Sequence, residues 1–133
     1  MLKYKEIYID VYHRKVIVCI GEFDEFKAWA DEFLAFDENY AGLYELIKNS
    51  KELELGKCYV DDSADSIILV KPWGNIFELS YLVHETGHAA ISILDYLKIP
   101  INWQTDEAFT YLQEYIFGEA VKDEGYITYN KTK

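Results

Sequence analysis

With 133 residues, half of them hydrophobic and 17% aromatic, the chain has apolar content for one folded domain over 1–133, which excludes a disordered or low-complexity protein. Its 24 acidic against 13 basic residues leave a net charge of −11, which opposes direct binding to nucleic acid or to an anionic membrane surface. No apolar run approaches the roughly 18 residues of a membrane span, and the polar opening Met-Leu-Lys-Tyr-Lys is no signal peptide, so a cytoplasmic protein is expected.

In chain order, Ile7, Ile9 and Val11 alternate with Tyr8, Asp10 and Tyr12, which is strand periodicity. A second, more fully buried strand follows at Val16 to Ile20, and the two form an N-terminal hairpin about His13-Arg14. From Glu22 to about Phe36 the period changes. Phe23, Phe26, Trp29 or Ala30, and Phe33 recur every three or four residues with acids between them, an amphipathic helix whose aromatic stripe belongs to the core. Ala41 to Lys48 forms a shorter helix. The acid excess is concentrated here: residues 22–65 hold thirteen acids against four lysines, the composition of solvated helix faces.

Lys57 to Val60 and Ser66 to Lys71 are two strands around the turn Asp61-Asp62-Ser63-Ala64-Asp65. Three aspartates there do not make a calcium loop, because the mid-loop glycine and terminal glutamate are missing. Cys19 and Cys58 each border an apolar strand and read as buried thiols, neither disulfide-bonded nor metal-ligating. After the breaker Pro72-Trp73-Gly74-Asn75, a long helix runs from Ile76 to about Lys98 and stops before Pro100. Thr105 is placed to cap a last helix ending near Val121, followed by a polar tail to Lys133. The class is α+β.

The long helix carries His84-Glu85-Thr86-Gly87-His88. Histidines four apart on a helix sit one turn apart on one face, where both imidazoles can reach a single Zn²⁺. Glu85 projects about 100° further round, beside the metal, where a carboxylate can take a proton from a water the metal activates. On a helical wheel Leu79, Leu82, Val83, Ala90, Ile93, Leu94 and Leu97 share one broad side. Tyr81, His84, Glu85, His88, Ser92 and Asp95 share the other, the pattern of a helix lining a cleft.

A catalytic zinc needs a third protein ligand. Asp95 lies about 10 Å along the axis from His88 and is out of reach. Six residues after His88, where the metzincin pattern needs histidine, stands Leu94. The next helix offers Asp106 and Glu107, which its wheel does not separate.

A histidine pair followed some twenty residues on by a glutamate resembles the gluzincin branch of the zincin metallopeptidases, over roughly residues 66–121. Residues 1–65 match no family pattern, although compact zincins with an N-terminal hairpin and helix, some phage-encoded, are similar in outline. The resemblance implies Zn²⁺ held by His84, His88 and Glu107, with Glu85 as general base and polypeptide as substrate. It also implies a compact zincin-like fold whose edge strand, matched by Ser66 to Lys71, pairs with extended substrate. The thermolysin-like second aspartate falls at Tyr111, leaving Thr110 or Asp95 to orient a histidine. No downstream histidine is present, since the third one is His13, so a tyrosine takes the oxyanion role: Tyr111 first, Tyr115 second. The rival expectation is a non-proteolytic protein on the same scaffold whose acidic surface docks a basic or nucleic-acid-binding partner.

Overall fold

The computed structural model describes residues 1–51 and 56–130; the last three residues of the polar tail lie outside that range. Strand β1 (Leu2–Ile9) turns through residues 10–13 into antiparallel β2 (Arg14–Ile20), the expected hairpin. His13 occupies the turn with φ at 53°, a left-handed conformation unusual for a side-chain-bearing residue. Helix α1 (Phe23–Phe33) and helix α2 (Ala41–Lys48) follow, joined by a short 3₁₀ turn at Glu38–Tyr40. Next come β3 (Gly56–Val60) and β4 (Ser66–Val70), then α3 (Ile76–Tyr96), α4 (Asp106–Val121) and β5 (Ile127–Tyr129).

The strands form one sheet in the order β3-β4-β2-β1-β5, with β4 parallel to β2 and the other pairs antiparallel. Alternation along the strands sends side chains to two cores. Val16, Val18, Ile20, Ile68 and Val70 meet Leu82, Ile93 and Leu94 of α3 and Leu112 and Ile116 of α4. On the opposite face Ile17, Cys19, Ile67 and Leu69 meet Phe26 and Trp29 of α1 and Leu43 and Ile47 of α2. Covered on both faces, β2 and β4 need apolar residues at successive positions, which is why their sequences run apolar without alternation.

Three local features refine the expected boundaries. Asn75, read as part of a breaker, is the N-cap of α3: its Oδ1 accepts from the Glu78 N–H at 2.8 Å, while Glu78 Oε1 accepts from Gly74 N–H at 3.1 Å. That helix ends two residues earlier than expected. Lys98 adopts φ of 59°, its N–H donating to the Asp95 carbonyl and the Ile99 N–H to the Leu94 carbonyl, a Schellman closure. Thr105, expected as the α4 cap, makes no capping hydrogen bond; its hydroxyl instead donates to the Pro100 carbonyl within the preceding loop.

The aspartate turn is structural, as expected. Asp61 Oδ1 accepts from the Ser63 and Asp65 N–H groups at 2.8 and 3.1 Å, and Asp65 Oδ1 accepts from the Lys15 N–H at 2.9 Å. The strand in the tail was not foreseen. Ile127–Tyr129 is too short for a periodic pattern and exists because β1 offers a free edge at Leu2–Tyr4. Lys5 fastens that corner, its ammonium donating to the Glu119 and Lys122 carbonyls at the end of α4. Among the described residues no helix is long and apolar enough to cross a membrane.

One expectation is corrected by the topology. Ser66 to Lys71 was to be the substrate-pairing edge, but β4 is hydrogen-bonded on both sides and its five residues are all buried. The edge of the sheet on that side is β3, whose mixed burial fits one unpaired flank.

Candidate metal centre

Helix α3 carries the site. Its buried residues are Leu82, Glu85, Thr86, Gly87, Ala89, Ala90, Ile93 and Leu94, whereas His84 and His88 are exposed. The wheel is therefore right for the histidines and wrong for two neighbours. Val83, placed on the apolar side, is 42% exposed, and Glu85, placed on the polar side, is only 6% exposed. Glu85 is covered because β3 packs against this flank of the helix. Gly56 of β3 faces Glu85 so closely that a Cβ at Gly56 would stand 3.3 Å from Glu85 Oε2. An isolated wheel cannot show which strand roofs which position.

The two imidazoles converge. His84 Nε2 and His88 Nε2 are 3.1 Å apart, with ring centroids at 4.7 Å and planes at 81°. Two nitrogens each about 2.05 Å from a tetrahedral zinc would be about 3.3 Å apart, so the observed separation is close to that of a chelating pair. Glu85 completes a set in which each residue offers a ligand atom, all within 4.8 Å of one another. Two imidazoles and a carboxylate are a donor set that could hold a metal ion.

Burial raises the Glu85 carboxyl above its usual range, while the nearby His84, His88 and Lys57 act in the opposite direction. Lys57 and Cys58 follow Gly56 on the same edge strand. Burial, with a smaller contribution from Glu85, pushes the Cys58 thiol up to about 12. Cys19, fully buried, is also raised. Both cysteines are free, in line with the sequence expectation.

These thiols set an alkaline limit on stability. Their folded pKa lies above the unfolded value, so folding favours the neutral thiol, and stability falls as pH rises from about 9 toward about 12. Over the 1.5 pH units above the ordinary thiol pKa, Cys58 alone should remove about 2 kcal/mol. Urea midpoints across that range should decline, and Cys58→Ala should flatten the decline. An unchanged slope in the variant would show that the thiol is not responsible.

The second helix holds α3 in place through a residue the sequence did not flag. Gln113 Nε2 donates to the Val83 carbonyl at 2.9 Å, and a Cβ at Gly87 would lie 3.1 Å from that nitrogen. Gly87 thus lets α4 approach at the level of the histidine turn. Thr86, fully buried, donates its hydroxyl to the same Val83 carbonyl at 2.9 Å. Thr86 and Gly87 of the motif serve packing, and the two histidines are exposed to solvent. A glycine between two candidate ligands was the available sign of a close helix–helix approach, although its partner could not be named from sequence.

The remaining expected residues lie elsewhere. Glu107 sits exposed in the first turn of α4, and its carboxylate is not in the converged set; nor is Asp95. Gln113, not Glu107, touches the histidine turn, and six helical residues separate the two by about 9 Å along the axis. Tyr111 and Tyr115 also turn away. They line a separate cleft with Ile9 to Tyr12, and no residue of the histidine motif lines it. The expected oxyanion tyrosine is therefore not brought beside the histidines, because the face of α4 that carries it looks toward the β1–β2 turn. His13 is in that turn, with Nδ1 2.9 Å from the Tyr8 hydroxyl.

Comparisons with protein-family models, curated proteins and solved structures returned no match.

Proposed function

We propose that this protein is a cytoplasmic zinc-dependent metallopeptidase acting on polypeptide, with His84 and His88 as ligands and Glu85 as general base. The observation that carries the reading is the 3.1 Å approach of two exposed imidazole nitrogens beside a buried carboxylate. Zinc, when bound, supplies a Lewis acid that polarises a carbonyl and lowers the pKa of water toward about 7. Glu85 supplies the proton handling: its carboxylate takes a proton from the attacking water and returns it to the leaving amine. Burial against Gly56 brings the carboxyl pKa nearer to neutrality, which suits a group that must both accept and release a proton. The third ligand in this reading is Glu107, which lies outside the converged set about 9 Å along α4 from Gln113, so it joins the histidines only if α4 shifts along α3 as the metal binds.

Elemental analysis after dialysis tests the metal. One equivalent of zinc is expected in the parent protein, with loss in His84→Ala and His88→Ala and a lower melting temperature when the parent is chelated. Metal-free parent protein with an unchanged melting temperature would refute the reading. Glu107→Gln should also lose zinc. If it retains the metal while Glu85→Gln loses it, the site is a His-Glu-His chelate and not a peptidase centre.

A second reading is favoured by one feature: Glu107 is not converged with the histidines. In that case the protein binds metal without proteolysis and its acidic surface docks a basic partner. Stoichiometric zinc without any chelator-sensitive cleavage of casein or a peptide library would select it.

A further inference from the structure

A cleft outside the metal centre lies between the β1–β2 turn and α4 and has a volume of about 390 Å³, the scale of a ligand pocket. Its floor is apolar and buried: Ile9 is 5% and Leu112 6% exposed. Around that floor stand three tyrosines, Tyr12, Tyr111 and Tyr115, and one carboxylate, Asp10; among the described residues no lysine or arginine lines the cleft. Elsewhere in this chain five tyrosine rings lie under cations. Lys3 and Lys5 lie over Tyr126, Arg14 over Tyr96 at 4.5 Å, Lys15 over Tyr40, Lys48 over Tyr44 and Lys57 over Tyr59. Among the described residues none lies over the three rings of the cleft. Lys122, across an adjoining groove that shares Tyr111 and Tyr115, is paired with Glu119 at 2.6 Å.

We propose that this cleft is a binding site for the side chain of an arginine in a polypeptide partner. The chemistry of the walls selects that occupant. A guanidinium is planar, stacks on tyrosine faces and pairs with a carboxylate, here Asp10, while its methylene stem needs an apolar floor such as Ile9 and Leu112. The net charge of −11 adds a long-range field that draws a basic segment toward the protein. A purely apolar occupant would leave Asp10 unused at the rim, and an anion would meet both Asp10 and the overall charge. The site is independent of the metal centre, with which it shares no residue.

Titration of the full-length protein with a short capped peptide bearing one central arginine tests this, followed by tyrosine fluorescence and by NMR. Saturable binding is expected, with the largest shifts at Tyr111 and Tyr115. The same peptide with citrulline, which keeps shape and removes charge, should bind about tenfold more weakly or worse, and Asp10→Asn and Tyr111→Leu should each weaken the arginine peptide about tenfold. Asp24→Asn, an acid of α1 that does not line the cleft, should leave binding unchanged. Zinc content should be unchanged in Asp10→Asn, which separates this site from the metal reading.

Equal affinity for the citrulline peptide, or for a norleucine peptide, would show an apolar cleft and overturn the proposal. Equal losses in Asp10→Asn and Asp24→Asn would show only general attraction and overturn it too. Free arginine binding as tightly as the peptide would remove the polypeptide as the source. Absence of saturation by the arginine peptide would refute the site altogether.

Discussion

Glu85→Gln is expected to leave one zinc per chain and to reduce peptide hydrolysis by about 10²–10⁴-fold. The substitution preserves size and polarity while removing the ability to accept a proton. It also removes a buried charge, since Glu85 is 6% exposed against the β3 edge, so thermal stability should hold or rise slightly. Three readings are therefore needed together: zinc content, melting temperature and turnover. Retained zinc with lost turnover supports a general base. Unchanged turnover would exclude Glu85 from the chemistry. Lost zinc would instead place Glu85 on the metal, as the close convergence of all three side chains permits.

Trp29→Ala is expected to cost about 3–5 kcal/mol of folding stability. Trp29 is 2% exposed at the centre of the core between the sheet and α1, stacked on Phe26 at 5.8 Å and tilted against Tyr4 at 5.4 Å. Removing the indole leaves a cavity that neighbours on a five-stranded sheet cannot collapse to fill. Trp29 Nε1 is buried without a hydrogen-bond partner, so Trp29→Phe deletes an unsatisfied donor along with part of the ring. That variant should lose about 1–2 kcal/mol, less than the alanine variant. Urea midpoints with an unchanged slope measure both. If the phenylalanine variant is as unstable as the alanine one, the unsatisfied indole N–H is not a liability.

Much of the secondary structure was legible because the chain uses strong periodic patterns. Phe23, Phe26, Ala30 and Phe33 carry a helical period, and α2 occupies the span its pattern predicted. Fully apolar runs at Val16 to Ile20 and Ile67 to Val70 reflect burial on both faces of a sheet. Where the reading failed, a partner distant in sequence made the difference. Three residues at Ile127–Tyr129 become a strand only against β1. Lys98 ends α3 in a left-handed conformation that composition does not announce. The order β3-β4-β2 depends on a parallel pairing between strands separated by two helices, which no local pattern encodes.

The candidate site divides in the same way. Spacing alone puts His84 and His88 on one helical face at the separation two metal ligands require, because a helix repeats every 3.6 residues whatever surrounds it. The remaining features come from packing. Packing of Gly56 against the helix buried Glu85, and contact between Gly87 and Gln113 set the level at which α4 meets α3. That contact left Glu107 outside the converged set and turned Tyr111 toward the β1–β2 turn. Spacing along one helix is a local property of the backbone. Which neighbouring element roofs a side chain, and at what height a second helix docks, is settled by steric fit among residues far apart in the chain.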